Sequence, residues 1–473
     1  RYAVMVSVPG THRAPLYRVL THSTLPAFVD SQGGWRFIPP GHNPVGAAPV
    51  ALTSPVMAVD IAEPITHVPV LDSPAAALAA ADAVATEVAV GSAERERSGA
   101  SLLTQLRAVA EAGLLAVPVP AKHGGPGFPA SVQVEVLRRL SRGDGALGQL
   151  LLAHFVISQA ISALDADAPQ AVRIYRDVLA GGQLGNATAE RGTASPLHRN
   201  TTVRRRDDGS WELNGTKYYA TGALGATWIA VAAGIAGTDG ETATVFIRPD
   251  QDGVTLDLEK WSAFGQRGTA SGEIRLEGVL VDDDLVIEEG APPHPVDGPP
   301  TVLGAYDQAL HAAIDIGIAR AALEDGAEFV RTTSRPWKEA LDAGIDRADH
   351  EPHIVRRFGE LTARLYALEA LLAAGAAVVD EGQAQPDLSR DTAAAASLKV
   401  AAAKALAQEF AVEIASGIFE LTGTSGTDGE ANLDRHWRNV RTHSLHDPAR
   451  WKYVHLGNHT LHGTRPPRLG LVL

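Results

Sequence analysis

Trp437-Arg-Asn-Val-Arg-Thr-His-Ser-Leu-His-Asp-Pro448 is the stretch on which the reading of this chain turns. Extended back to Asp434, it gathers arginines and histidines around one indole, just ahead of a final helical segment. Guanidinium groups hold phosphate through two parallel hydrogen bonds and aromatic faces cover planar rings, so the cluster suits an anionic, planar ligand. An ion-paired subunit contact is the competing reading. Asp447-Pro448 has the composition of a capped helix start, which would fix the direction of His446 just before it.

Outward from this stretch, apolar residues recur every three or four positions in long segments, predicting helices at about 302–333, 352–382, 390–421 and 447–462. Between about 184 and 290 the pattern changes to short runs rich in Val, Thr, Tyr and Ile, ended by Asp207-Asp208-Gly209 and Asn214-Gly215. Ahead of these, Ala-rich segments predict helices at about 74–91, 101–113, 131–142, 145–165 and 168–180, interrupted by the Gly/Pro loop Lys122–Phe128. The order of elements implies an α+β chain: an N-terminal helical domain (61–184), a central β barrel or sandwich (185–290) and a C-terminal helical bundle (300–473). Residues 1–60, with scattered Pro and Gly and no sustained period, read as a poorly ordered extension or as an arm that packs on a neighbouring subunit.

The 473 residues carry 41 Lys+Arg against 55 Asp+Glu, a net charge of −14, and 45% are hydrophobic. Such an acidic balance argues against gripping a phosphate backbone, and no apolar run approaches the ~20 residues of a membrane helix. The absence of cysteine removes disulfides, thiol nucleophiles and thiolate metal sites, and fits a reducing cytoplasm. No Gly-x-Gly-x-x-Gly, Gly-Lys-Ser/Thr phosphate loop or Gly-x-Ser-x-Gly elbow occurs, so nicotinamide, nucleoside-triphosphate and serine-hydrolase chemistries are not indicated. Gly423–Gly429 follows a helix and reads as its cap and turn. His455 and His459, four apart, could share a metal, but no nearby Glu completes such a motif, and they read as helix-face or interface histidines. Two further polar clusters stand out. Gly185-Asn-Ala-Thr-Ala-Glu-Arg191 lies where the first helices meet the sheet, and Asn214–Ala223 places Thr221 and Gly222 at a strand end.

With Phe264-Gly-Gln-Arg-Gly-Thr-Ala-Ser-Gly272 and Arg331-Thr-Thr-Ser-Arg-Pro-Trp337, the opening stretch resembles the flavin-dependent monooxygenase branch of the acyl-CoA dehydrogenase superfamily, near the dibenzothiophene monooxygenases and sulfur-acquisition oxidoreductases. The resemblance runs from about Ile61 to the C-terminus. It implies a helical domain, a β domain and a C-terminal four-helix bundle, assembled as a homotetramer with flavin at the subunit boundary. It implies reduced FMN delivered by a separate reductase, with FAD as the alternative. Dioxygen would add to the flavin as a C4a-hydroperoxide and pass one oxygen to a small organosulfur compound. A dehydrogenase commonly takes its base from a Tyr-Glu-Gly-Thr stretch, where this chain has His443–Asp447; Asp307 is the nearest substitute. An FAD-dependent acyl-CoA dehydrogenase is therefore the alternative function.

By the same resemblance His446 is the proton donor, with Thr221 and Asn186 on the flavin side. Asn186, Ala187, Thr188, Ala189, Glu190, Arg191, Lys217 and Thr221 would line the flavin, and Arg331 would meet its phosphate. Ser425 stands where the dibenzothiophene enzymes carry a phosphate-holding Arg. Gln149 and Ala153 replace a His and a Tyr, beside a matching His154. Those changes favour a small alkyl sulfide, sulfoxide or sulfone over a tricyclic aromatic, with Trp337 as a further pocket residue. No metal is expected.

Overall fold

The computed structural model describes residues 27–29, 35–37, 65, 67–193, 199–290 and 298–467. Arg1–Pro64 and Ile65–Leu473 are separate compact units. In the first, β1 (Ala27–Val29) pairs antiparallel with β2 (Trp35–Phe37); the rest of the expected extension, and the Pro-rich stretch 291–297, lie outside the described residues.

The second unit opens with α1 (Pro74–Ala89), whose N-terminus is set by Pro74 and by Ser73, its hydroxyl accepting from the Ala76 amide at 3.2 Å. There follow α2 (Ser92–Ser98), α3 (Leu103–Glu111), α4 (Ala130–Gly143), α5 (Gly145–Ile161) and α6 (Pro169–Leu179). The chain passes from α4 to α5 through Asp144, which caps α5 by accepting from the Ala146 and Leu147 amides.

The central region is one sheet: β3 (Leu184–Ala187), β4 (Thr202–Arg205), β5 (Trp211–Lys217), β6 (Trp228–Ile235), β7 (Thr242–Ile247), β8 (Val254–Asp257), β9 (Glu273–Val281) and β10 (Val286–Gly290). The strand order is β10-β7-β6-β4-β5-β9-β8. Both β3 and β4 run parallel to β6, along its first and second halves. Asp207-Asp208-Gly209 makes the turn from β4 to β5, with Gly209 at φ +86°. Asn214-Gly215 does not end a strand: it lies inside β5, where the register against β9 shifts between Leu213 and Gly215, a bulge that the Gly conformation permits.

The last region holds α7 (Leu303–Thr332), α8 (Lys338–Asp342), α9 (Pro352–Gln383), α10 (Arg390–Thr422), α11 (Asp434–His443) and α12 (Ala449–His462). Helices α7, α9 and α10 pack on one another and α12 lies on α10, giving the four-helix bundle; α11 bridges α7 and α10. Gly423, at φ +65°, ends α10 as its composition predicts. By length and composition alone α9 could cross a membrane, but Leu361, Leu365, Leu368, Leu372 and Val379 bury one of its faces in the bundle.

Two hydrophobic cores organise the unit. Helices α1, α3, α4 and α5 share one with α7, α9, α10 and α11, so the first helices and the bundle form a single packed body. Helix α6 belongs instead to the core of the sheet, through Ala171, Ile174, Tyr175 and Val178. The residues of interest lie where α5, β3, α7 and α11 meet between these cores.

Candidate active site

On the sheet side two glycines set the geometry. A β-carbon on Gly185 would stand 2.7 Å from the carbonyl carbon of Gly222; one on Gly222, which is at φ +80°, would stand 3.0 Å from the Leu150 carbonyl oxygen of α5. This close approach brings Asn186 beside Thr221, whose carbonyl accepts from the Asn186 amide at 3.0 Å. Asn186 Oδ1 is buried with no hydrogen-bond partner among the described residues. The Thr221 hydroxyl is 2.9 Å from that of Ser271, which donates to Thr269 Oγ1 at 2.9 Å; Thr269 donates in turn to the Gln266 carbonyl at 2.8 Å. Gln266 then ties the sheet to the bundle, its amide donating to Asn439 Oδ1 of α11 at 2.7 Å.

One helical turn beyond Asn439 stands His443, in a buried polar row that crosses three helices. Its Nδ1 is 2.6 Å from Asp315 Oδ1, and Asp315 Oδ2 accepts from Lys404 Nζ at 2.7 Å. The other face of His443 meets His311, Nε2 to Nδ1 at 2.9 Å. His311 lies against His446 with tilted rings whose centroids are 3.9 Å apart, and its Nε2 faces Asp307 Oδ1 at 3.8 Å. Asp307, His311 and Asp315 recur every four residues on α7 and therefore project along one stripe. Burial, with the positive potential of His446 and His443, holds His311 well below the ordinary imidazole range. Burial also lowers His443 and pushes the Asp307 carboxyl up to about 6. Burial opposes ionisation of Asp315 as well, but Lys404 and His443 outweigh it and keep the carboxylate low.

His446 itself is 45% exposed. Asp447 does not cap α12, whose N-cap is Pro448 without a side-chain bond; its carboxylate is wholly buried against Lys452, with His446 Nδ1 at 3.5 Å. The bias of residue types in Asp-Pro thus misleads here, because a buried lysine competes for the carboxylate.

The other expected residues part into groups. Ala187 is buried and Thr188 exposed, and Ala189 donates no side-chain chemistry, its carbonyl accepting from the Tyr218 amide. Glu190 and Lys217 are paired at 2.6 Å with side chains 3% and 0% exposed, and Glu190 also accepts from the Asn200 and Thr201 amides. They lock the exit of β3 onto β5, so their side chains are spent on structure. Arg191 lies over the Tyr218 ring at 4.1 Å. His154 is fully buried, its Nε2 2.7 Å from the Leu115 carbonyl and its Nδ1 accepting from the Leu184 amide at 3.2 Å. Both ring nitrogens are consumed, the tautomer is Nε2–H, and burial holds the ring down at about 4. His154 is therefore a strut between α5 and β3 rather than a pocket wall. Ala153 is 1% exposed, so its neighbours have filled the room a larger side chain would need. Gln149 keeps a buried Oε1 with no partner among the described residues.

Arg331, Ser425 and Trp337 lie elsewhere. Arg331 is twenty residues after His311 on α7, about 30 Å along the axis. It is exposed and pairs with Glu328 at 2.7 Å. Trp337 is 73% exposed, and Ser425 is exposed in the turn after α10. That turn belongs to the same end of the bundle, since the Ser334 hydroxyl reaches the Thr422 carbonyl. Within one chain these residues cannot join His446.

A cavity of about 260 Å³ opens at the start of α5, where Asp144, Gly145, Ile318, Arg435 and His436 approach Asn439; Gln149, Ala153, His154 and Trp337 do not line it. Among the described residues no group of three side chains is arranged to hold a metal. His459 contacts the Thr464 carbonyl and His455 lies against Trp451. The residues that sequence reasoning missed are His311, Asp315 and Lys404. Each is a polar position on the inward stripe of a long helix, which is the signal that could have found them.

Comparison with known proteins accords with this anatomy. The acyl-CoA dehydrogenase N-terminal, middle and C-terminal domain families match residues 75–172, 185–279 and 309–451. Dibenzothiophene monooxygenase of Rhodococcus qingshengii is 33% identical over 387 residues, covering 79% of this chain and 90% of that protein. Among solved structures, FMN-bound TdsC from Paenibacillus sp. A11-2 superposes with a TM-score of 0.78 at 29% identity, over 84% of this chain and 99% of its own. Methanesulfinate monooxygenase MsuC from Pseudomonas fluorescens does so with 0.74 at 26%, over 83% and 99%. The chain belongs to the acyl-CoA dehydrogenase superfamily, in the branch of the flavin-dependent monooxygenases.

Proposed function

We propose that this chain is the oxygenase of a two-component system in sulfur acquisition: it receives reduced FMN from a separate reductase and uses dioxygen to oxygenate a small sulfide, sulfoxide or sulfone. The observation that carries the reading is the turn between α11 and α12. Its carboxylate, Asp447, is sealed against Lys452, so the titratable group it presents is the imidazole of His446. An acyl-CoA dehydrogenase commonly carries a free carboxylate base at that place.

The residues present fit a flavin. Asn186 Oδ1 is a buried acceptor without a donor, which a ring N–H would satisfy. The Gly185–Gly222 crossing leaves backbone rather than side chains next to it, and Thr221 supplies a hydroxyl whose proton can be shared with Ser271. Reduced FMN, when bound, supplies the two electrons that make dioxygen reactive. His446, with Nδ1 turned toward Asp447, keeps Nε2 to hold a proton at the reacting end. FMN rather than FAD is favoured by its presence in TdsC. The sequence has no dinucleotide fingerprint of its own, so the electrons come from another protein.

The placing of Arg331 and Ser425 at the far end of the bundle supports an assembly, a homotetramer in this reading, in which they serve the phosphate site of another copy. A small substrate is supported by the likeness to MsuC, while Gln149 Oε1, buried without a partner among the described residues, is an acceptor that calls for a donor. A cytoplasmic setting suits a chain without cysteine that depends on a partner reductase.

A second reading, an FAD-dependent acyl-CoA dehydrogenase, rests on Asp307, a carboxyl in the site with its affinity for protons raised. One experiment separates the two. Protein loaded anaerobically with reduced FMN is mixed with oxygenated buffer containing a small alkyl sulfide, sulfoxide or sulfone, or dibenzothiophene. Oxygenated sulfur product in proportion to flavin oxidised, fastest with the small compounds, is the expected result. Tightly bound FAD that bleaches on adding acyl-CoA, with no sulfur product, overturns it.

A further inference from the structure

The gap between Asp307 and His311 is 3.8 Å, too long for a hydrogen bond, while each link deeper in the row is 2.6–2.9 Å. The direction of those inner bonds is determined. Lys404 can only donate, so Asp315 is an acceptor at Oδ2 and also accepts from His443 at Oδ1, which places the His443 proton on Nδ1. Neutral His443 then has a lone pair at Nε2, which accepts from His311 Nδ1–H. His311 is left with a bare Nε2 facing a carboxyl oxygen. Two acceptors face each other, and the separation is what a missing proton would produce.

Resting on the reading above, we propose that Asp307 and His311 form a socket for one proton, and that His443, Asp315 and Lys404 are the relay that sets its polarity and carries its charge in passing. A proton arriving on Asp307 closes the gap by an O–H to N bond. Its transfer breaks the bond to Asp307 Oδ1 and forms one to His311 Nε2. The proton on His311 Nδ1 passes to His443 Nε2, and the positive charge is held there in passing by the Asp315 carboxylate at 2.6 Å. Reversal returns the proton next to His446, whose ring lies 3.9 Å from that of His311. His311 acts here as a positioning residue, through His446.

The charged and titratable groups facing His311 are Asp307 and Asp315 on its own helix, His443 on α11, His446 and Asp447 in the following turn, Lys404 on α10 and Lys452 on α12. Burial, the neighbouring imidazoles and the two lysines hold His311 well below the ordinary imidazole range, and burial lowers His443 as well, so the raised Asp307 carboxyl, at about 6, is the proton's resting place and the imidazoles carry it only in passing.

The first test is independent of turnover: nitrogen NMR of the full protein carrying 15N-labelled histidine, with and without reduced FMN. The expected spectrum assigns the proton to Nδ1 in both His311 and His443, with the His311 Nε2 signal moving as pH falls through the Asp307 titration. A proton fixed on His311 Nε2 at neutral pH overturns the proposal. The second test uses Asp307→Asn, whose amide donates permanently to His311 Nε2, and Asp307→Ala, which empties the socket. In the ratio of sulfur product to flavin oxidised, the wild-type limb near pH 6 disappears in both variants, and both fall about tenfold or more below the wild type's low-pH level, because an amide closes the gap but has no proton to pass on. A limb that persists in Asp307→Asn overturns the relay. Failure of the functional reading looks different: the wild type makes no sulfur product, and Asp307→Asn abolishes bleaching by acyl-CoA while the nitrogen spectrum is unchanged.

Discussion

Gly185 and Gly222 cross so closely that neither can carry a side chain: a Cβ on the first would stand 2.7 Å from the carbonyl carbon of the second, backbone against backbone. Because this contact places Asn186 beside Thr221, Gly185→Ala is expected to cost about 1–3 kcal/mol of stability and to weaken flavin binding at the same time. Chemical denaturation and flavin titration of the same preparation check the pairing of effects. Stability lost with flavin affinity unchanged would separate the crossing from the site.

His154 gives a signed pH prediction. Its folded value, about 4, lies below the ordinary 6.5 of an unfolded histidine, so the unfolded chain binds the extra proton first. Stability is therefore full above about 6.5 and falls as pH drops toward 4, by about 3 kcal/mol from this ring. Gln at 154 can donate to Leu115 and accept from Leu184 without titrating. The difference between wild type and His154→Gln in unfolding free energy from pH 7 to 4.5 should shrink by that amount; parallel curves would refute the strut.

For Glu190 and Lys217, Glu190→Gln should destabilise by about 3–5 kcal/mol, since it leaves a buried ammonium without its counter-charge. Replacing both, Glu190→Leu with Lys217→Met, should recover most of the loss. Urea midpoints decide it, and a double variant as weak as the single one would show that the pair is needed for more than charge balance.

His446→Ala is expected to keep fold and flavin affinity, because the ring is 45% exposed, while the sulfur product falls by a factor equivalent to about 2–4 kcal/mol and hydrogen peroxide rises in its place. Unchanged product per flavin oxidised would take His446 out of the chemistry.

Arg331 should complement His446 between chains. Each of Arg331→Ala and His446→Ala impairs every site when it is the sole chain present, yet co-expressed they form some sites with both groups intact. Activity of the mixture well above either parent is expected; a mixture no better than its parents would place both groups in one chain's site, against the about 30 Å along α7 between Arg331 and His311, the residue on which His446 packs.

The long helices were legible because their apolar stripes repeat over many turns, and observed ends such as Pro352–Gln383 depart from the periodic reading by a residue or so. Helix α11 was not legible as a helix. It buries Arg435, His436, Asn439 and His443 along with Val440, so the face that points inward is polar and carries no apolar period. The same blindness hid His311, Asp315 and Lys404, whose partners come from other helices. His154 misled for the opposite reason: a matching residue in the right place proved to be held by two backbone groups. Only the distances between elements tell a strut from a wall.

The two cores have a mechanical consequence. The sheet with α6 is spliced into a helical body that closes over the splice, α5 packing directly on α7 as though nothing intervened. In the file of hydroxyls and amides from Thr221 to Asn439 only the last link, Gln266 to Asn439, crosses from one body to the other; the rest belong to the sheet side. The two interiors are sealed separately, so polar links such as Gln266 to Asn439 and Leu184 to His154, rather than one shared apolar core, keep sheet and helices in register.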